Sequence, residues 1–242
     1  MKRFAVVSFA FAALAAPAFA ADMPVKAPVV VERYDWSGVY AGVNGGWLGS
    51  HIDWQYHNAL TGTTNPPLST ASQGSAIIGG QIGIQKQFGN FVLGAEFSAN
   101  GFIGSDYGSV SCTNAAFNCQ SRVNDLLLML GGRIGFTPID RMLLFVNGGA
   151  AGYGVDTREV LVATGATNVF SSSHRHWAGY IGGGVEYAVW KNLIFGVEYA
   201  HIFKSNEHHV TAGTPSIEDR DIGVSADMVR ARLSYKFDWL MR

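Results

Sequence analysis

The sequence predicts an all-β fold, an eight-stranded antiparallel up-and-down transmembrane β-barrel. Three observations carry that reading. From Trp36 onward, stretches of alternating apolar and polar residues are joined by links that are short and long in turn. Where the alternation is clearest, one face of the stretch is apolar and the other small or charged. And no segment past the N-terminal run approaches the roughly 20 apolar residues of a spanning helix, so any membrane crossing must use strands.

The short links are Phe88–Asn90, Thr137–Arg141 and Trp190–Asn192; the long ones run roughly Ser50–Ser72, Asp106–Arg122, Glu159–Ser172 and Ser205–Ile222. Such a series puts every long loop at one end and both termini at the other. That is the layout of an outer-membrane barrel with tight periplasmic turns and larger extracellular loops. Thirty glycines and 14% charged residues suit strands packed closely around a barrel, and a net charge of −1 supplies no basic field for nucleic acid.

The N-terminus reads as a secretory signal over residues 1–20. Lys2 and Arg3 start it, Phe4 to Ala16 form an apolar run, and Ala18-Phe19-Ala20 make a small-x-small cleavage site. Residues 21–35, with Pro24 and Pro28, read as an extended periplasmic leader. The barrel is expected over residues 36–237, and a short tail over 238–242. Cys112 and Cys119 lie in the second long link. An exported chain meets oxidising conditions, so a disulfide pinning that loop is expected.

The last three strands show the two faces most clearly. Leu193, Phe195, Val197, Tyr199, His201 and Phe203 alternate with Gly196, Glu198 and Ala200; Val229, Ala231, Leu233, Tyr235 and Phe237 alternate with Arg230, Arg232, Ser234 and Lys236. In the sixth strand Trp177, Ile181, Val185 and Tyr187 alternate with Tyr180, Gly182, Gly184 and Glu186. A soluble barrel puts its apolar face inside, and a membrane barrel reverses it. The aromatic residues near strand ends, Phe91, Phe136, Trp177 and Tyr187 among them, match interfacial girdles and favour the reversal. The first, second and fifth strands are too glycine-rich for their faces to be assigned.

The pentapeptide Gly-Val-Glu-Tyr-Ala occurs at 184–188 and again at 196–200, on either side of the Trp190–Asn192 turn. A hairpin there brings Glu186 and Glu198 near each other on one face. Like charges facing each other destabilise a sheet, so a cation should sit close. Glu96, Arg133, Glu186, Glu198, Arg230 and Arg232 are therefore expected to form an ion network filling the lumen, in preference to a catalytic carboxylate pair. Eight strands leave an interior just wide enough for side chains to fill, which disfavours an open channel.

The opening Tyr34-Asp-Trp36-Ser-Gly38-Val-Tyr40-Ala-Gly42-Val-Asn44 resembles that of the small outer-membrane immunogenic, or porin-family, proteins of alphaproteobacteria. Gly182-Gly-Gly-Val-Glu186-Tyr and Val229-Arg-Ala-Arg-Leu-Ser-Tyr235-Lys-Phe237 are similar to that family's penultimate hairpin and closing strand. The resemblance implies a surface-exposed, structural barrel in the outer membrane, with haemin binding or an effect on envelope integrity among family properties and no catalytic residues. It also implies an assembly signal at Tyr235 and Phe237, read by the barrel assembly machinery. Arg232 stands where that signal usually has glycine, and Asp238–Arg242 extends past it. The expected partners are outer-membrane lipid, lipopolysaccharide and the assembly machinery; oligomeric state is not legible.

The histidines are the feature a barrel alone does not explain. All seven are expected at the extracellular end. His174 and His176 share strand parity, and His208 and His209 in the fourth loop could join them as ligands for a metal or haem iron. No cofactor is otherwise implied. An enzyme acting on lipid A would have only His201 and the Ser171–Ser173 run beside His174 as raw material, without a visible orienting group. A secreted lipocalin-like carrier is disfavoured by the reversed faces and the unequal loops.

Overall fold

The computed structural model describes residues 33–58, 63–64, 69–112, 116–209 and 218–237. The expected signal peptide, the leader up to residue 32 and the tail 238–242 lie outside the described residues. Eight long strands form the wall: β1 Gly38–Asn58, β2 Ser69–Phe88, β3 Phe91–Ile103, β4 Phe117–Phe136, β5 Met142–Leu161, β6 Thr167–Ala188, β7 Leu193–His209 and β8 Glu218–Phe237. Each pairs antiparallel with the next, and β8 pairs with β1 from Val39↔Phe237 to Asn58↔Glu218, closing the barrel. Closure gives each long strand a neighbour on both sides within the apolar belt, which hydrocarbon requires because it offers no hydrogen bonds to a free backbone group.

The strands run much further than the alternation suggested. The expected first long link is strand up to Asn58 and again from Ser69, and it stays paired through Trp54↔Ser69. About 10 residues suffice for a tilted strand to cross a bilayer, whereas most of these have about twice that. On the long strands the exposed large apolar side chains stop at about mid-strand, at Trp47, Ile78, Leu126, Trp177, Phe203 and Val229, with Val162 beyond the top of β5 the exception. Above that level the outer face is polar and the inner face apolar. The polarity rule inverts while the backbone ladder continues, so a reading based on one polarity rule ended each strand too early.

β3 is the exception, stopping at Ile103 after 13 residues. Its place beside β4 is taken by a short strand, Gly108–Ser111, paired as Gly108↔Ser121 to Ser111↔Asn118. The Cys112–Cys119 disulfide, with a Cα–Cα distance of 5.2 Å, ties off this arm. Gln73 on β2 fastens its other side, donating through Nε2 to the carbonyls of Asp106 (2.5 Å) and Ser121 (2.8 Å).

The glycines that obscured the faces of β1, β2 and β5 have a packing role. Gly83 on β2 lies under the ring of Tyr40, where a Cβ would come within 2.4 Å of ring carbon Cζ. Gly131 on β4 similarly makes room for the hydroxyl of Tyr180. Large inward side chains thus lie over glycines of neighbouring strands, and the alternation disappears from the glycine side. Gly83→Val should displace Tyr40 and lower stability by about 1–3 kcal/mol, the usual cost of overpacking. A urea midpoint of the refolded barrel equal to that of the parent chain would count against this packing.

Candidate functional site

The interior is built in three layers, read most easily along β8. Lys236 and Ser234 lie lowest, Arg232 and Arg230 at mid-height, and Met228, Ala226, Val224 and Ile222 above; all of these side chains face inward and are buried. The lowest layer is built around an apolar stopper. Trp36 packs with Val92, Leu143, Ala188 and Ile194, and Tyr34 lies against them. The chain entering β1 is fastened there by its backbone: the Trp36 amide donates to Gln87 Oε1 (2.8 Å), and the Trp36 carbonyl accepts from Gln85 Nε2 (2.8 Å). Lys236 lies 4.6 Å from the Tyr34 ring centre and donates to the Asp35 carbonyl. Tyr34 and Asp35, expected as the end of the extended leader, and Trp36, expected as the start of the barrel, together form a plug in the periplasmic mouth.

The middle layer contains all six residues expected to meet in the lumen. Glu96 comes from β3, Arg133 from β4, Glu186 from β6, Glu198 from β7, and Arg230 and Arg232 from β8. All are buried, and three carboxylates meet three guanidinium groups. Arg232 is the hub: Nη1 is 2.6 Å from Glu198 Oε2, Nε is 3.2 Å from Glu186 Oε1, and Nη2 pairs with Glu96. Arg230 joins Glu198 (3.0 Å) to Glu96 (3.2 Å), and Arg133 joins Glu186 (2.8 Å) to Glu96 (3.6 Å). The cation demanded by the Glu186–Glu198 hairpin is therefore Arg232, lying between them.

Neutral groups complete the layer. Tyr40 donates to Glu96 Oε2 (2.6 Å) and accepts from Arg133 Nη1 (2.8 Å); Asn147 donates to Glu198 Oε1 (2.9 Å); Arg230 Nη1 reaches Ser98 Oγ (3.1 Å). Arg133 also lies over the Phe145 ring, 4.2 Å from its centre. Tyr40, Ser98 and Asn147 escaped the sequence reading, although Tyr40 has the same parity as Asn44 on β1 and that signal was available. Above this layer Leu48, Ile52, Trp54, Ile77, Leu127, Met129, Tyr153, Ile202 and Met228 belong to one continuous apolar core.

A polar lumen, an outward apolar belt and a closed antiparallel wall together describe one class of protein. The comparisons agree: the outer membrane protein beta-barrel domain matches residues 6–237. The chain belongs to that family. This outer-membrane barrel is 28% identical over 254 residues to the 31 kDa outer-membrane immunogenic proteins of Brucella melitensis and Brucella suis, covering 98% of this chain and 100% of each relative. It shares its fold with the outer membrane protein OprG from Pseudomonas aeruginosa, at a TM-score of 0.51 and 12% identity, over 83% of this chain and 97% of that one. The protein is located in the outer membrane.

Among the described residues, the histidines of this outer-membrane barrel form no group with metal-ligand spacing. His176 is buried in the upper core, stacked on Tyr153 with ring centres 5.8 Å apart, whereas His174, of the same parity, is exposed. His208 and His209 end strand β7 instead of lying in a loop, and their side chains are outside the described residues. Among the described residues, the one group with metal-ligand spacing is Cys112, Cys119 and Glu159, and both its sulfurs are tied in the disulfide. His201 faces outward and meets Asp227 Oδ1 at 2.8 Å, an oxygen that also accepts from the Tyr199 hydroxyl at 2.6 Å. An orienting carboxylate is thus present, contrary to expectation. The serines are not: His201 is level with Ile181 on β6, and Ser173 is eight residues further up that strand, roughly 27 Å at about 3.4 Å per residue.

Above the membrane band, Asp156 organises the outer wall. It accepts from Asn124 Nδ2 (2.9 Å) and Arg122 Nε (3.0 Å). Burial pushes its carboxyl up, but hydrogen bonds from Ser173, Asn124 and Arg122 outweigh this and hold it below the ordinary value. A depressed carboxyl stabilises the fold fully above the unfolded value of about 4 and loses that contribution as pH falls through and below it. The melting temperature should therefore drop on acidification from about pH 5 to about pH 3, and drop less in Asp156→Asn. Parallel curves for the two proteins would remove Asp156 from the account.

For the lumen, replacing Arg232 with Met leaves Glu96, Glu186 and Glu198 short of a cation. Breaking a buried pair in this way costs about 3–5 kcal/mol. Arg232→Met and Arg230→Met should both melt earlier in detergent, Arg232→Met more so, and two unchanged melting temperatures would refute a stabilising network.

Proposed function

We propose that this protein is a structural component of the outer membrane, a filled barrel that contributes to envelope integrity and presents its tall extracellular wall for surface interactions. The observation that carries this reading is the stacking of three closed layers. A polar layer with its charges paired is held between an apolar core above and the Trp36 stopper below. A conducting pore needs a continuous wet path, and the buried apolar side chains of both outer layers oppose one. The separation of His201 from the serines supports a non-enzymatic role in the same way.

The reading extends to biogenesis. Residues 1–20 act as the export signal, and 21–35 are the leader, whose last residues belong to the plug. The barrel assembly machinery reads the closing strand at Tyr235 and Phe237, whose rings are 5.1 Å apart at the end of β8. Tyr235 is half-exposed on the outer wall, where a docking surface can reach it. Lipopolysaccharide surrounds the outer half of the belt.

Planar bilayer recording of the refolded, full-length mature chain tests the function. The expected trace is flat, without discrete steps, at voltages that open a general porin. Reproducible single-channel steps that vanish on heat denaturation would replace the structural reading with a small pore.

A further inference from the structure

One strip of the outer wall differs from the rest of the belt. The outward positions of β5 begin with Leu144 and Val146 and then become small: Gly148, Ala150, Gly152 and Gly154. This leaves a trough running up the wall between β4 and β6. Its upper part is roofed. Trp177 lies over Gly152, and Asp125 lies over Gly154, where it is joined to Arg175 of β6. The lower part is open. There a cavity of about 630 Å³ is walled by Leu93, Ile134, Val146, Ile181 and Phe203, all of them exposed apolar side chains. Its floor includes Gly132 and Gly148, which face each other across the β4–β5 ladder.

We infer that this cavity is a binding site for one acyl chain of lipid A, whose phosphorylated headgroup is held at the rim by Arg175. Four observations lead there. The cavity opens sideways within the apolar belt, continuous with the surface that lipid already covers, so its occupant is a hydrocarbon chain. Its volume falls within the range of about 300–1,000 Å³ typical of small-ligand pockets. Its upper end lies at Phe203, which is over Gly179, one pleat below Trp177 and the extracellular edge of the belt; a chain descending from the outer leaflet enters there, and the outer leaflet supplies lipid A. One pleat above Trp177, Arg175 presents a planar guanidinium with a partly exposed side chain at headgroup height, the group best suited to a phosphate.

A second copy of the chain fits the cavity poorly. A two-fold interface sets a patch against itself, and a hollow facing a hollow leaves a void that only lipid could fill. The roofed upper trough adds a boundary: Trp177 closes the way upward along β5, so a chain leaving the cavity must turn out past the indole towards Arg175.

The test uses the full-length mature protein in nanodiscs containing phosphatidylethanolamine and lipid A, released in a mass spectrometer under native conditions. The expected spectrum shows a barrel retaining one lipid A. Gly132→Leu fills the floor at a position where a Cβ would meet only the Gly94 carbonyl, at 3.8 Å. It should lower the retained lipid A by roughly tenfold, equal to about 1.4 kcal/mol. Gly148→Val, which crowds the Tyr180 carbonyl at 3.1 Å, fills the same floor and serves if the first variant misfolds. Ala231→Leu, on the outer face of β8, is the control and should retain the adduct. Arg175→Gln should weaken lipid A while leaving any phospholipid adduct unchanged. Equal retention in the parent, Gly132→Leu and Gly148→Val overturns the site. Phospholipid retained as well as lipid A overturns the assignment of the occupant, and a dimer lost in Gly132→Leu in place of a lipid adduct gives the cavity to a second copy.

Discussion

Everything in this structure depends on the seam between β1 and β8. A sheet in hydrocarbon cannot leave an edge, because each unpaired amide or carbonyl there costs several kcal/mol. The seam satisfies both edges at once, with twenty consecutive rungs from Val39↔Phe237 to Asn58↔Glu218. Once the ends are joined, the inner face becomes an enclosed volume, and its chemistry is set by how eight strands fill it. The interior ion network and the plug are both possible only because this seam holds.

The second organising fact is that each strand obeys two opposite rules along its length. On β8, Val229, Leu233 and Tyr235 face lipid while Arg230, Arg232 and Ser234 face inward. A few residues higher the inward positions are Met228, Val224 and Ile222. Within the bilayer no hydrophobic force drives apolar groups inward, so the lumen can hold charges provided they are paired. Above the bilayer water surrounds the wall, and an apolar interior contributes in the ordinary way, about 1.5–3 kcal/mol for each large side chain fully buried. The molecule is a membrane barrel and a water-soluble barrel drawn from the same eight strands.

That inversion explains what the sequence disclosed and what it hid. The eight strands, the short turns and the inward placement of Glu96, Arg133, Glu186, Glu198, Arg230 and Arg232 follow from alternation in which the apolar face is outside. The extracellular half of the wall was hidden because its alternation has the opposite sense: Ile52 and Trp54 face in, and residues read as a loop are strand. Gly83, lying under the Tyr40 ring, erased the pattern on β2, so the parity Tyr40 shares with Asn44 on β1 had no matching face beside it. The partners of His201 could not be read either. Asp227 is 26 residues away, and only the register that sets Asp227 opposite His201 brings them together. Parity placed His174 and His176 on one face but could not tell that one is in the core and the other in solvent.

The distribution of charge over the strands has a consequence for the order of assembly. Glu96, Arg133, Glu186 and Glu198 lie on β3, β4, β6 and β7, so a sheet of the first seven strands carries −3 + 1 = −2 from the network on its inner face. The remaining two positive charges, Arg230 and Arg232, are both on β8. An open sheet therefore faces its missing strand with uncompensated carboxylates, and the last strand to be synthesised brings their counter-ions. In a low-dielectric setting that attraction is directional and selective: a strand without the paired arginines would leave the carboxylates facing one another. The lumen network thus doubles as an electrostatic latch that admits its own C-terminal strand and completes only when the cylinder is shut.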